Sequence, residues 1–348
     1  MDDIWVYPFI IILLTFSILA MRIILPRLIK KLKERGKIGV DVHKLDKPEV
    51  AEMGGISVLI VACLAAIIPL IFFDDLIIRV QMVVFISVLA LVGLIGLIDD
   101  LYRLGSITKP LLIAGASFPL LIANFIYLNQ VFYPDPIFPL IGSGFRITVI
   151  YWLIVPIGVT VAANAVNMMD VVNGSMSGPC IIIFGTLLFC SLIKQPMSVI
   201  GALLSAIMLG IMIIFYKYNR FPAKVFAGDT GTLTIGAALA LIGFMGGLEL
   251  ITVVVAFPLV INAFQILTSV RGLVEGRKLQ ERPSIVKSDG TITASTDIKA
   301  PLTLMRIVMA KSPLKEPEIT RHFIVLTLYC AILAIITTIL TYYIYIPL

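Results

Sequence analysis

Residues 80–98 read VQMVVFISVLALVGLIGLI, a run of nineteen residues without a single charge. A run of about 20 apolar residues is what an α-helix needs to cross the hydrocarbon core of a bilayer. The whole chain has the same character, with 59% hydrophobic and only 14% charged residues among 348. That leaves too little polar sequence to cover a water-soluble globule of this size. The sequence therefore predicts an integral membrane protein.

Apolar segments of similar length recur from one end of the chain to the other, with no long hydrophilic domain between them. They predict an all-α polytopic bundle of about ten transmembrane helices, formed by residues 1–348 as a single domain. The ten predicted segments are Ile4–Ile24, Ile56–Phe73, Val80–Ile98, Pro110–Leu128, Ile147–Ala163, Pro179–Ile193, Met197–Phe215, Gly231–Gly246, Leu250–Val270 and Phe323–Ile346.

The basic residues predict the orientation of the bundle. Of the 27 Lys and Arg residues, 23 lie in the loops that follow odd-numbered segments. By the positive-inside rule these loops are cytoplasmic, and with ten spans both termini are outside. The same rule explains the pI of about 9.1 without nucleic acid. The four cysteines lie in apolar segments without paired spacing, which argues against disulfides and zinc.

Two adjacent carboxylates, Asp99 and Asp100, follow the third segment and precede Arg103 and Lys109. Adjacent carboxylates repel each other, so they favour a metal ion, another cation or a shared proton. A solvated helix end is the alternative, and an isolated Asp-Asp pair would favour it.

A second group of polar residues recurs at every third position after the fifth segment: Asn164, Asn167, Asp170 and Asn173. Residues at this spacing share one face of a helix. Their side chains can bind a metal ion through oxygen or read the edge of a nucleobase. A hydrogen-bonded seam between membrane helices is the alternative.

The third group follows the seventh segment, where Asn219, Arg220 and Lys224 lead into the turn Gly228-Asp229-Thr230-Gly231 at the start of the eighth helix. Free N–H groups at a helix start suit a phosphate. Asp229 would repel that phosphate, which implies a bridging Mg²⁺. An ordinary helix cap is the alternative for Asp229.

The long loop, residues 271–322, is expected to lie over the cytoplasmic site. Ser284–Thr293 predicts a β-hairpin with its turn at Asp289-Gly290, and Leu302–Ala310 predicts an amphipathic helix. Gly272–Pro283 carries Arg277, Lys278 and Arg282, a basic arm that could bind a diphosphate. These cations could equally serve only to keep the loop inside. His43 and His322 are given no role.

Three motifs lie in order on alternate loops: Asp99-Asp100, Asn164-x-x-Asn167 and Phe226-Ala-Gly-Asp229-Thr. Together they resemble the polyprenyl-phosphate N-acetylhexosamine-1-phosphate transferase superfamily, glycosyltransferase family 4. The resemblance extends to Lys109-Pro110-Leu-Leu, Asn219-Arg220-Phe-Pro and Glu52-Met-Gly54-Gly55.

Within that superfamily, the last loop decides the branch that the chain resembles. It lacks the His-rich motif of the bacterial enzymes, which favours the branch of the dolichyl-phosphate N-acetylglucosamine-1-phosphate transferase of N-glycosylation. Asp170 is shared with the bacterial pattern and the last loop is shorter than in eukaryotic members, so the resemblance points to an archaeal homologue.

The resemblance implies transfer of an N-acetylhexosamine 1-phosphate from a UDP-sugar to dolichyl or polyprenyl phosphate at the cytoplasmic face, with Mg²⁺ as cofactor and Mn²⁺ as a possible substitute. The membrane is the cell membrane, or that of the endoplasmic reticulum in a eukaryote. A homodimer is left open. By this resemblance, the catalytic residues are Asp99, Asp100 and Lys109, the substrate-binding residues Asn164, Asn173, Asn219 and Arg282, and the metal ligands Asn167 and Asp229.

Within these assignments, Asp99 is a proton acceptor or a positioning group for phosphate, and Asp100 supports Asp99 or the metal. Asn173 contacts the uridine, and Lys109 and Arg282 contact lipid phosphate or diphosphate. Two alternatives are a bacterial-type undecaprenyl-phosphate transferase and, without enzymatic activity, a lipid flippase or secondary transporter. A transporter would carry ionisable residues near the bilayer midplane and broken inverted repeats, and the sequence shows neither.

Overall fold

The computed structural model describes residues 6–134, 148–272 and 281–343, and almost all of their regular structure is helical. The two chain termini, which were predicted to lie on the outer side of the membrane, are not among the described residues. The helices are α1 (Val6–Glu34), α2 (Ile56–Phe72), α3 (Leu76–Tyr102), α4 (Thr108–Ala116), α5 (Phe118–Ile126), α6 (Thr148–Met169), α7 (Ser177–Ile193), α8 (Val199–Asn219), α9 (Gly228–Gly246), α10 (Glu249–Val255), α11 (Phe257–Ser269), α12 (Leu304–Val308) and α13 (Glu316–Tyr342). The strands are β1 (Ile38–Val40), β2 (Glu49–Ala51), β3 (Ser284–Val286) and β4 (Ile292–Ala294).

Among the described residues, fewer helices than the predicted ten meet the length and composition of a membrane span. Within the described ranges, 7 helical segments are long and apolar enough to cross a bilayer, or 8 if the bent pair α10 and α11 counts as one span. Helices α2 and α7 lie where the second and sixth spans were predicted, but each has 17 residues. At 1.5 Å per residue such a helix is about 26 Å long, shorter than a bilayer core of about 30 Å. The structure confirms an all-α membrane protein and leaves the count of ten unconfirmed.

Two predicted spans are interrupted, each just before a Phe-Pro pair. The fourth breaks at Ser117, where α5 starts with Pro119 in its first turn. The ninth breaks at Ala256 and bends by 71° before Pro258. Proline has no N–H to continue the preceding helix and clashes with its last turn. It does fit the first turn of a new helix.

Helix α9 lies at the centre of the bundle, with 89% of its most apolar window buried. It packs against α3, α6 and α8. Two close approaches need glycine, because a Cβ at Gly96 of α3 would lie 2.6 Å from Thr230 Cα and one at Gly236 would lie 2.4 Å from Ala162 O. Small residues allow membrane helices to approach this closely. The packing brings the end of α3 and the end of α6 to the start of α9.

Two short hairpins lie in the loops. Strands β1 and β2 pair antiparallel, with Gly39 opposite Val50, and Ala51 also bridges Val225 just before α9. Strands β3 and β4 form the hairpin predicted in the last loop, with Ile285 opposite Thr293. Its turn is closed by Asp289 Oδ1, which accepts from Thr291 N at 2.9 Å.

Helix α12 is shorter than the predicted amphipathic helix Leu302–Ala310. It has five residues, and Leu304 and Met305 are buried within the protein. Arg306 donates to the carbonyl oxygens of Ser295 at 3.0 Å and Asp297 at 2.7 Å. The segment is thus tied to the hairpin.

Candidate active site

The centre of the site is the charge cluster, which consists of Asp99, Lys109, Asn167 and Asp229. Lys109 Nζ lies 2.9 Å from Asp99 Oδ2 and 3.0 Å from Asp229 Oδ2. Asn167 Nδ2 donates a hydrogen bond to Asp229 Oδ1. One ammonium group therefore pairs with two carboxylates from different helices.

Local folding explains how residues ten positions apart meet. Helix α3 ends at Tyr102, and Arg103 takes a left-handed conformation with φ 59°. The chain then turns back, and Leu104 N donates to Asp99 Oδ1 at 2.5 Å. Lys109 is the second residue of α4, so the turn brings its side chain to the end of α3.

Asp100 faces a different partner from its neighbour Asp99. Its carboxylate accepts from Asp229 N at 2.7 Å, from Thr230 N at 3.0 Å and from Thr230 Oγ1 at 2.6 Å. Asp100 therefore caps α9, as an N-cap side chain would. Two of the N–H groups that the sequence predicted for a phosphate are already occupied by this carboxylate. These contacts favour the supporting role that was predicted for Asp100, and its assignment as catalytic stays a prediction.

Asn164 and Asn219 do not join the charge cluster. Asn164 Nδ2 donates to Thr160 O of its own helix at 2.8 Å. Asn219 is buried, accepts from Ser177 Oγ at 2.6 Å and donates to Val225 O at 3.0 Å. The Asn219 side chain thus ties the segment before α9 to α7, and its hydrogen bonds are internal.

Asn173 lines a cavity of about 250 Å³. The other lining residues include Asp170, Phe226, Gly228 and Glu52. Burial raises the pKa of Asp170 to about 7, and the nearby Asp229 carboxylate adds to the rise. The cavity is therefore lined by an aromatic ring, by the buried amide of Asn173 and by Asp170, whose carboxyl lies near Asp229 of the charge cluster.

Asp41, Lys44 and Glu316 surround Asn173, and together these four residues form the Asn173 cluster. Asn173 Nδ2 donates to Asp41 Oδ2 at 3.0 Å, and Asn173 N donates to Glu316 Oε1 at 2.6 Å. Lys44 pairs with Asp41 and lies 3.5 Å from Glu316 Oε2. Asp41, Lys44 and Glu316 were not predicted as site residues. Asp41 and Glu316 lie 132 and 143 positions from Asn173, and nothing in a single sequence links residues so far apart.

Arg282 lies apart from the charge cluster on a second cavity of about 340 Å³, which it lines with His43, Ser284 and Ser295. His43 lines both cavities. Burial lowers the pKa of His43, and the positive charges of Arg282 and Lys44 lower it further while Asp41 opposes them. Arg277 and Lys278 lie outside the described residues.

The predicted metal ligands fit a magnesium ion. Across the described ranges, no group of three or more His, Cys, Asp or Glu side chains is placed to hold a metal. Mg²⁺ needs fewer, since it binds one or two protein oxygens together with substrate phosphates and water. Asp229 is 27% exposed at its side chain and adjoins the Asn167 amide, whose oxygen and nitrogen exchange places by a half-turn.

A family model described as glycosyl transferase family 4 matches residues 82–247. The match covers most of α3 and all of α6 and α9, which carry Asp99, Asn167 and Asp229.

Several proteins are similar over most of the chain. A protein of Methanocaldococcus jannaschii, provisionally named a glycosyltransferase, is 28% identical over 340 residues, which is 96% of this chain and 97% of that protein. A protein of Saccharolobus solfataricus, provisionally named a UDP-N-acetylglucosamine–dolichyl-phosphate N-acetylglucosaminephosphotransferase, is 28% identical over 90% of each chain. The phospho-N-acetylmuramoyl-pentapeptide-transferase of Enterococcus faecalis is 29% identical over 69% of this chain and 76% of its own length.

Proposed function

We propose that this chain, which belongs to glycosyl transferase family 4, transfers N-acetylglucosamine 1-phosphate, or a related N-acetylhexosamine 1-phosphate, from a UDP-sugar to dolichyl or polyprenyl phosphate. The match to the family model and the names of the Saccharolobus solfataricus and Enterococcus faecalis relatives support polyprenyl-phosphate sugar-phosphate transfer. The products are UMP and a lipid-linked sugar diphosphate, the first intermediate of protein N-glycosylation.

The observation that carries the proposal is the pairing of Lys109 with both Asp99 and Asp229. Phosphoryl transfer requires charge neutralisation and positioning more than covalent chemistry by the protein. An ammonium group between two carboxylates can turn to an incoming phosphate and leave the carboxylates free for other partners. The side chains of Lys109 and Asp229 are 15% and 27% exposed, so both are accessible to a ligand.

The reaction assigns a role to each group of the cluster. An oxygen of the lipid phosphate attacks the phosphorus that carries the sugar, the bond from that phosphorus to the UMP oxygen breaks, and UMP leaves with the electron pair. Lys109 binds the lipid phosphate. Asp99 accepts its proton or orients it, and at pH 7 a phosphate monoester is already mostly ionised.

Asp229 and Asn167 hold Mg²⁺ in this proposal, through a carboxylate and an amide oxygen. When bound, the ion neutralises charge that develops on the diphosphate. Asp100 fixes the start of α9 and so keeps Asp229 in place. Phe226 and Asn173 line the cavity proposed for the uracil base, where an aromatic face can stack on a base.

Orientation is part of the proposal, with the charge cluster on the cytoplasmic side as the basic loops predict. Reporter fusions after Gly105 and Ala223 test it. An external signal from either fusion contradicts the shared cytoplasmic site.

A second candidate is a bacterial-type transferase that uses undecaprenyl phosphate for cell-envelope polymers. It is favoured by the similarity to named phospho-N-acetylmuramoyl-pentapeptide-transferases. Donor choice separates the two, since the bacterial relatives' names specify a muramoyl-pentapeptide. The flippase or transporter alternative predicts no UMP release from any donor.

One assay tests the function directly. Purified protein is mixed with labelled UDP-N-acetylglucosamine, a dolichyl or polyprenyl phosphate and Mg²⁺, and release of UMP is measured. We expect UMP only when both substrates are present. A matched Lys109→Met preparation serves as the control, and equal UMP release from both would contradict the proposal.

A further inference from the structure

The Asn173 residue is held on three sides by hydrogen bonds. Its backbone N–H donates to Glu316 Oε1 at 2.6 Å, its carbonyl accepts from Thr320 Oγ1 at 2.9 Å, and its Nδ2 donates to Asp41 Oδ2 at 3.0 Å. Asn173, Asp41 and Glu316 are each only 4% exposed. The residue is therefore fixed in position, and so is its side chain.

The identity of Asp41 determines which way the amide points. Oxygen and nitrogen of an Asn amide are assigned from their partners, and an ionised carboxylate can only accept hydrogen bonds. The amide atom next to Asp41 must therefore be Nδ2. Lys44 forms an ion pair with Asp41, and a carboxylate in an ion pair offers only acceptor oxygens to the amide.

This orientation leaves Asn173 Oδ1 for a ligand. Asn173 lines the cavity of about 250 Å³, and no hydrogen bond within the described part of the chain ends on Oδ1. A ligand that fills the cavity would bury this oxygen, and a buried acceptor that is left without a donor is costly. The cavity thus offers a hydrogen-bond acceptor whose position is set by Asp41.

We propose that Asp41 is a specificity-determining positioning residue, which turns the acceptor oxygen of Asn173 towards the ring nitrogen N3 of a pyrimidine base and so selects uracil over cytosine. The proposal deepens the proposed function and rests on it. Uracil carries a hydrogen on N3 and can donate it to Asn173 Oδ1. Cytosine carries a lone pair on N3, which would face the same oxygen and repel it.

The test compares UMP with CMP as competitive inhibitors of sugar-phosphate transfer. We expect the wild type to bind UMP at least about ten-fold more tightly than CMP, because one buried acceptor is otherwise left unpaired. In Asp41→Asn the new amide can donate or accept, so the Asn173 amide can take either orientation. The UMP preference should then fall by about ten-fold, towards equal binding.

Asp41→Ser is a second variant with the same expectation, because a hydroxyl also donates or accepts. Asp46→Asn is the matched control, since Asp46 is exposed in the same loop, and it should keep the wild-type preference. Glu316→Gln loosens the Asn173 backbone and not the amide orientation, so it should weaken UMP and CMP alike. The ratio of the two inhibition constants reports only on folded enzyme, so partial unfolding does not change it.

Two results would count against the inference in distinguishable ways. A wild type without any preference for UMP contradicts the donor class of the proposed function. A wild type with that preference, together with Asp41→Asn and Asp41→Ser enzymes that retain it in full, overturns the role of Asp41 and leaves the proposed function intact.

Discussion

The charge cluster and the Asn173 cluster each combine two acidic side chains with one lysine, but their surroundings differ. Lys109, Asp99 and Asp229 have side chains that are 15%, 10% and 27% exposed. In the Asn173 cluster, the lysine is equally accessible, but Asp41 and Glu316 are only 3% and 4% exposed at their side chains. A ligand can reach the carboxylates of the charge cluster and replace their present partners. The carboxylates of the Asn173 cluster are buried and bind only groups of the protein.

Because of this difference in exposure, we assign catalysis to the charge cluster and recognition of the nucleotide to the Asn173 cluster. Lys109 bridges two carboxylates that substrates can reach, so its pairing can change during a reaction. Lys44 bridges two buried carboxylates, of which Glu316 accepts from the backbone N–H of Asn173 and Asp41 accepts from its side-chain amide. We therefore expect substitutions in the charge cluster to lower kcat and substitutions in the Asn173 cluster to change KM or nucleotide preference.

The largest effect is expected from Asp229→Asn. This carboxylate pairs with Lys109, accepts from Asn167 and is the proposed metal ligand. We expect kcat to fall on the order of 10³-fold and the dependence on added Mg²⁺ to weaken, while the protein stays folded. UMP release is measured across a Mg²⁺ titration, with EDTA-treated wild type as the reference. Full activity of the variant, or of the wild type in EDTA, contradicts the metal assignment.

Asp99→Asn should have the next largest effect, a fall in kcat on the order of 10²-fold with donor binding retained. Asp99 contacts Lys109 at 2.9 Å and lies outside the nucleotide cavity's lining residues. The rate is measured between pH 6 and 9. If the loss in kcat relative to the wild type becomes smaller as the lipid phosphate ionises, above a pKa of about 6, Asp99 acts as a proton acceptor. If the loss is the same at every pH, Asp99 positions the phosphate. A variant within about three-fold of wild type throughout contradicts both roles.

In the Asn173 cluster, Asn173→Ala should weaken binding of the UDP-sugar donor and leave binding of the lipid phosphate unchanged. Loss of one hydrogen bond to a neutral base costs about 0.5–1.5 kcal/mol, so KM for the UDP-sugar should rise several-fold while KM for lipid phosphate stays nearly constant. Steady-state kinetics with each substrate varied in turn provide the measurement. Equal weakening of both substrates indicates a role in folding and not in base contact.

The charge cluster could be predicted from the sequence because its members lie in the first or last turns of helices, where polar residues are conspicuous beside apolar segments. Asp99, Lys109, Asn167 and Asp229 were all predicted, and the structure brings them together. Asp100 was predicted as catalytic, in support of Asp99 or the metal, and the structure shows that its carboxylate caps α9. A linear sequence does not show which of two adjacent carboxylates faces which helix.

Of the Asn173 cluster, only Asn173 itself was predicted from the sequence, because the residues that surround it come from distant segments of the chain. Asp41 and Lys44 lie between β1 and β2, and Glu316 starts α13. They looked like ordinary loop charges. The count of ten spans is unconfirmed for a different reason: α2 and α7 are apolar, but each has only 17 residues, and hydropathy alone does not show where a helix ends.

The smallest effect is expected at Asn164, which the resemblance places among the substrate-binding residues. Asn164 and Asn167 lie on the same helix, yet Asn164 Nδ2 bonds Thr160 O in its own helix while Asn167 Nδ2 bonds Asp229. A side-chain bond to a carbonyl that is already in the helical ladder contributes little to stability. We therefore expect Asn164→Ala to keep kcat and both KM values within about two-fold of wild type.

The matched variant Asn167→Ala removes a contact to the charge cluster, and we expect a loss of about ten-fold or more in kcat at limiting Mg²⁺. Because both substitutions replace the same residue type on one helix, a general effect on α6 should appear equally in both. A large loss in Asn164→Ala would show that substrate reaches further along α6 than the charge cluster, and would extend the site towards the membrane interior.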